Sequence, residues 1–132
     1  MVGILASKSK TGNVTGTVSF PSLIPVSRPR VGFVSQQDVL PSTLTVREAL
    51  LFACQLRLPE NVPDNEKQSR VENVMEQLGI QDLRDVRIGN VEKRGISGGE
   101  MRRLSIGLEL VASPDIIILD EPTSGMVSRP VL

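Results

Sequence analysis

Apolar positions along this chain follow two spacings, and the switches between them mark its elements. Residues 14–20, VTGTVSF, are rich in β-branched side chains and end at Pro21, and residues 31–35, VGFVS, form a second short apolar run. Both predict strands. Between them PSLIPVSRPR carries three prolines and predicts a loop or an edge crossing. At Thr45 the period becomes helical: Val46, Ala49, Leu50, Ala53 and Cys54 share one face, Thr45 and Glu48 have capping-box spacing, and Pro59 ends the pattern. A helix is predicted over 46–57. The turn-rich ENVPDN is a connector, after which Val71, Val74, Met75 and Leu78 predict a second helix over about 66–78 with Gly79 as its stop. Met101, Leu104, Leu108 and Val111 mark a third apolar face, opened by a second capping box at Ser97 and Glu100 and closed before Pro114. The continuous run IIIL at 116–119 predicts a strand buried on both faces of a parallel sheet. Strands, a helical block and a buried strand together predict an α/β domain.

Composition narrows the classes of function. Fifteen basic side chains balance fifteen acidic ones, so no net charge draws the chain to nucleic acid or an anionic membrane. With no Trp or Tyr and three Phe, its core must be aliphatic. The single cysteine, Cys54, excludes an internal disulfide framework and, lying on the apolar face of its helix, reads as a small core residue in a reducing compartment, the cytosol. No run approaches the roughly 18 apolar residues of a membrane-spanning helix, and the apolar start is too short for a signal-peptide core. The chain has no histidine, which removes the commonest general base and metal ligand.

Two stretches carry candidate chemistry. In RGISGGEMRRLS, residues 94–105, Ser97 and Glu100 are explained by capping alone, but Gly98 and Gly99 are not, since each costs roughly 1 kcal/mol against alanine inside a helix. A helix start stripped of side chains lets a phosphate reach the unpaired amides. In DIIILDEPTSG, residues 115–125, the apolar run delivers Asp120 and Glu121 at the carboxyl end of a strand, where ligands bind in open α/β sheets. Adjacent carboxylates there suit a hydrated Mg²⁺ and a polarised water; the alternative is a solvated acidic turn. Arg102 and Arg103 could help hold the helix near phosphate, although a solvated helix face is the reading favoured for both, as for Lys93 and Arg94.

Taken in order, these motifs bring a family into view. ISGGE resembles the signature sequence of ATP-binding cassette (ABC) ATPases, and IIILDEPTSG resembles their Walker B motif running into the D-loop. GFVSQQDVLPSTLTVREALLFACQLRLP resembles the Q-loop region, and RIGNVEKRGISGGEMRRLSIGLELVASPDIIILDEPTSG resembles subfamily G, the half-size lipid and drug exporters of eukaryotes. The resemblance implies a partial P-loop NTPase fold, a parallel-sheet remnant plus a helical signature subdomain. It makes Gln36 the Q-loop glutamine near Mg²⁺ or the attacking water. Ser97, Gly98 and Gly99 would meet the γ-phosphate of an ATP held mainly by a second nucleotide-binding domain, with Glu100 closing the motif. Asp120 would serve Mg²⁺ and Glu121 would be the general base. The implied partners are that second domain and a transmembrane domain, with the protein on the cytosolic face of a membrane.

The resemblance also sets expectations of loss. No GxxxxGK[ST] loop occurs in the 132 residues, so residues 1–125 are expected to be a partial nucleotide-binding domain that begins downstream of Walker A. After Gly125 a tail, 126–132, diverges, with Val127 where the D-loop aspartate is expected and no switch histidine. The chain alone is expected to be inactive. The alternatives are a non-catalytic module presenting SGGE to a partner's P-loop, a non-functional truncated product, and a soluble ABC ATPase. The helical block from about 41 to 112 is expected to be the best-formed part, beside strands with unpaired edges.

Overall fold

The computed structural model describes residues 29–35, 40–90 and 95–120. Its elements are strand β1 (Val31–Val34), helices α1 (Val46–Arg57) and α2 (Asp64–Leu78), a 3-10 turn at Gln81–Leu83, helix α3 (Gly98–Leu110) and strand β2 (Ile116–Leu119). The predicted strand at 14–20, most of the predicted proline-rich loop, and the tail expected to diverge lie outside the described residues.

Helix α1 starts where its capping box requires. The Glu48 amide donates to Thr45 Oγ1 at 3.2 Å, and the Thr45 amide donates to the Glu48 carboxylate at 2.8 Å. Helix α2 begins two residues before the predicted start. Pro63, which has no N–H to waste, stands at its N-cap, and Asp64 and Glu66 place negative charge on the positive end of the helix dipole. Its stop is the one predicted: Gly79 adopts the left-handed conformation (φ 61°), its amide donates to the Glu76 carbonyl at 3.1 Å, and the Ile80 amide reaches the Met75 carbonyl at 3.0 Å. Those two bonds form a Schellman cap, a geometry that only glycine adopts without steric cost.

The three helices enclose the aliphatic core, with Leu50, Val71, Met75, Leu104 and Val111 fully buried. Gly107 lets α3 approach closely, because a Cβ there would stand 3.0 Å from Leu78 Cδ1 and 3.1 Å from Leu50 Cδ2. Cys54 is fully buried, and burial raises its thiol pKa, in keeping with a core residue. The segment after the 3-10 turn runs back along the start of α1, with the Val46 amide donating to the Val86 carbonyl at 3.1 Å and the Ile88 amide to the Leu44 carbonyl at 2.9 Å.

The two strands pair in parallel, Val31 opposite Ile116 through Val34 opposite Leu119. The α/β class read from the sequence holds. One detail does not: β2 is half-buried along its whole length rather than covered on both faces. Among the described residues it has one neighbouring strand, and the packing of α3 falls on β1, where the Phe33 amide donates to Glu109 Oε2 at 3.3 Å. No helix among the described residues is long and apolar enough to cross a membrane.

Because Leu50 sits where all three helices meet, Leu50→Ala should lower unfolding stability by about 2–5 kcal/mol. Phe52→Ala, on the exposed face of the same helix, should change it by less than about 0.5 kcal/mol. Urea unfolding followed by circular dichroism distinguishes the two.

Candidate functional site

Helix α3 presents its amino end through local chemistry. The Ile96 amide donates to the Ile88 carbonyl at 3.1 Å, and a side chain at Gly95 would collide with that same carbonyl, so the approach to the helix is fixed by backbone contact. Ser97 is the N-cap: its Oγ accepts from the Glu100 amide at 3.3 Å, and its amide donates to the Glu100 carboxylate at 2.7 Å. Both capping boxes foreseen in the sequence are present.

Gly98 and Gly99 are the first two residues of α3, and their amides precede the first intrahelical donor, the Met101 amide, which donates to the Ser97 carbonyl at 2.8 Å. A Cβ built on either would meet nothing within 4 Å. Neither has a positive φ. Packing and backbone conformation within the described residues therefore give no reason for glycine at these positions. Glu100 has a structural task, since its hydrogen bonds to the Ser97 amide and side chain, helped by Arg103, hold its carboxyl below the usual range.

Asp120 follows β2 directly. Its amide donates to the Val34 carbonyl at 3.0 Å, carrying the parallel pairing one residue past the strand. Its carbonyl accepts from Arg102 Nη2 at 2.8 Å, while Arg102 Nη1 donates to the carbonyl of Ser35. Arg102 is 4% exposed, so the expectation that it lies on a solvated helix face is wrong. A guanidinium can be buried here because strand-end carbonyls accept its protons. The signal was present in the sequence: Arg102 and Glu109 are seven residues apart and share a stripe beside the apolar face of α3. Glu109 binds Arg57 in a bidentate pair at 2.6 Å as well as the Phe33 amide.

The structure thus joins the SGGE helix to Asp120 through one buried side chain. Gln36 and Glu121 lie outside the described residues, each one position beyond an acceptor of Arg102 in the sequence. Asp120 supplies a hard carboxylate at a strand end, which fits a Mg²⁺ held by one or two carboxylates together with substrate phosphates.

With this geometry in place, residues 5–124 match the sequence profile of the family described as ABC transporter. The chain belongs to the ABC transporter family. The ABC transporter domain is 47% identical over 132 residues to ABC transporter G family member 24 of Dictyostelium discoideum, covering 98% of this chain and 11% of that relative. It is 46% identical over 123 residues to ATP-binding cassette sub-family G member 8 of Rattus norvegicus, covering 92% of this chain and 17% of the relative. Among solved structures it resembles cbiO1 from Clostridium perfringens, described as part of the ABC transporter complex cbiONQ, with a TM-score of 0.60 and 29% identity over 74% of this chain and 36% of that one. The sequence is of the G-family type, and the fold is that of part of a P-loop NTPase domain of this family. The chain spans less than a fifth of the length of these two relatives.

The two capping carboxylates give a pH dependence. Hydrogen bonds to Thr45 hold the Glu48 carboxyl below its ordinary value of 4.5, as those to Ser97 do for Glu100. A depressed folded-state pKa adds stability that is fully present above the unfolded value and is lost as pH falls through the folded one. Melting temperature should therefore decline below about pH 4.5, and Glu48→Gln with Glu100→Gln should make that acid limb shallower; an unchanged limb would show that the caps do not titrate with folding.

Proposed function

We propose that this chain carries the signature and Walker B portion of the ATP-binding domain of a subfamily G half-transporter. The whole protein would couple ATP binding and hydrolysis to export of lipid-like or drug-like substrates across a membrane. The observation that supports it best is the empty space at Gly98 and Gly99. Two residues that weaken a helix start, and that nothing in the described chain requires, are accounted for by a ligand arriving from outside.

In this reading the Gly98 and Gly99 amides donate to the terminal phosphate of an ATP held mainly by a second nucleotide-binding domain. Mg²⁺, when bound, would be held by Asp120 and Gln36 and would neutralise phosphate charge. Glu121 takes a proton from the water that attacks the γ-phosphorus in line with the departing ADP oxygen. Gln36 orients that water and reports the state of the site to a transmembrane domain. The domain itself lies on the cytosolic face of the membrane and needs no nucleic acid.

Because no GxxxxGK[ST] loop occurs within the 132 residues, turnover needs a phosphate loop from outside this sequence. In this reading residues 1–125 are a partial nucleotide-binding domain, 126–132 a divergent tail, and residues 1–132 on their own bind ATP weakly without hydrolysing it.

The test uses the complete polypeptide that contains these residues. Gly98→Ala and Gly99→Ala should leave melting temperature unchanged or raise it, since alanine is the better helix former, while lowering ATP turnover by at least about tenfold. Glu121→Gln should abolish turnover with ATP binding retained. Full turnover in either alanine variant would overturn the phosphate role of the glycines.

A further inference from the structure

We infer that Arg102 is a positioning residue that sets the ends of both strands, and with them Asp120, against the SGGE helix. Its effect on turnover rests on the ATPase reading above; its structural effect rests on geometry alone.

Three observations converge on Arg102. First, its acceptors are backbone carbonyls from separate strands, Ser35 after β1 and Asp120 after β2. Both carbonyls belong to peptide groups at the carboxyl ends of the paired strands, so one guanidinium fixes those two ends relative to each other and, with them, the backbone of Asp120. Second, Arg102 lies four residues beyond Gly98, on the same face of α3, so the helix end that would meet phosphate and the strand ends are connected by a single side chain. Third, the residue is buried, which keeps water from competing for the two carbonyls.

The chemistry requires arginine in particular. The planar fork presents several donors in fixed directions and reaches two acceptors at once. A lysine ammonium keeps the charge but is a compact point on a flexible stem, and it cannot hold both peptide planes in the same way. Arg102→Lys is therefore the informative variant, because it preserves charge and most of the volume while loosening orientation.

In the complete polypeptide, Arg102→Lys should lower kcat for ATP by about tenfold or more, leave KM within about threefold, and shift the melting temperature by only a few degrees. Hydrogen exchange at the Asp120 amide, which donates to Val34, should quicken while the amides of Leu50 and Val71 keep their protection. An unchanged kcat would overturn the inference. So would a fall in kcat matched by general loss of protection, which is what a purely structural role produces. If the wild-type protein hydrolyses no ATP, the ATPase reading fails by itself, and the exchange measurement alone judges Arg102: unchanged protection at Asp120 overturns it. Should the lysine variant not fold, arginine side-chain NMR of the wild type decides. A held guanidinium gives separate, slowly averaging Nη signals for Arg102, and a freely rotating one contradicts the inference.

Discussion

A helix that starts with two glycines has little stability of its own, so α3 must be held from outside, and the structure holds it on two sides. Toward the other helices, Leu104 and Val111 are buried and Gly107 allows close contact with Leu50 and Leu78. Toward the strands, Arg102 binds the ends of β1 and β2, and Glu109 binds the β1 backbone and Arg57. Burial of apolar surface drives the first attachment without specifying direction. Charge-assisted hydrogen bonds fix the second, and each is worth about 1.5–3 kcal/mol when its partners are in place. The bare amino end of α3 can then project with the Gly98 and Gly99 amides outside the capping box, which uses those of Ser97 and Glu100.

Much of this was legible in the sequence because it depends on neighbours along the chain. The capping boxes at Thr45 and Ser97, the glycine stop at Gly79 and the apolar periodicity of α1 are local signals, and each corresponds to a feature of the structure. The early start of α2 escaped because Asp64 and Asn65 read as turn residues, whereas after Pro63 they open a helix. Arg102 escaped for a different reason. Periodicity identifies one apolar face, but a helix packed between a helical core and a strand pair has two buried faces, and the second is stitched by polar side chains. The seven-residue spacing of Arg102 and Glu109 marks that polar stripe, but the carbonyls Arg102 binds are 67 and 18 residues away, so the spacing does not tell what it meets.

The same limit applies to function. ISGGE and IIILDE, in that order, carry the family, and the family match over residues 5–124 agrees with them. The sequence suggested a phosphate as the reason for Gly98 and Gly99 but could not exclude an internal one. The structure removes the internal reasons, since neither packing nor a left-handed backbone requires glycine there. On the proposed reading, that turns a weakness in helix propensity into a feature of a surface, the phosphate-facing end of α3. Arg102 fixes Asp120 in relation to the SGGE helix, so the two described parts of the candidate site are held together by one side chain.

In the proposed function this surface receives a phosphate. An experimental structure of the complete polypeptide with Mg²⁺ and a non-hydrolysable ATP analogue tests that at the atoms concerned. The Gly98 and Gly99 amides should lie about 2.7–3.2 Å from oxygens of the terminal phosphate, with the Asp120 carboxylate on the metal side of the nucleotide. A fully occupied nucleotide whose phosphates lie away from the amino end of α3 would contradict it.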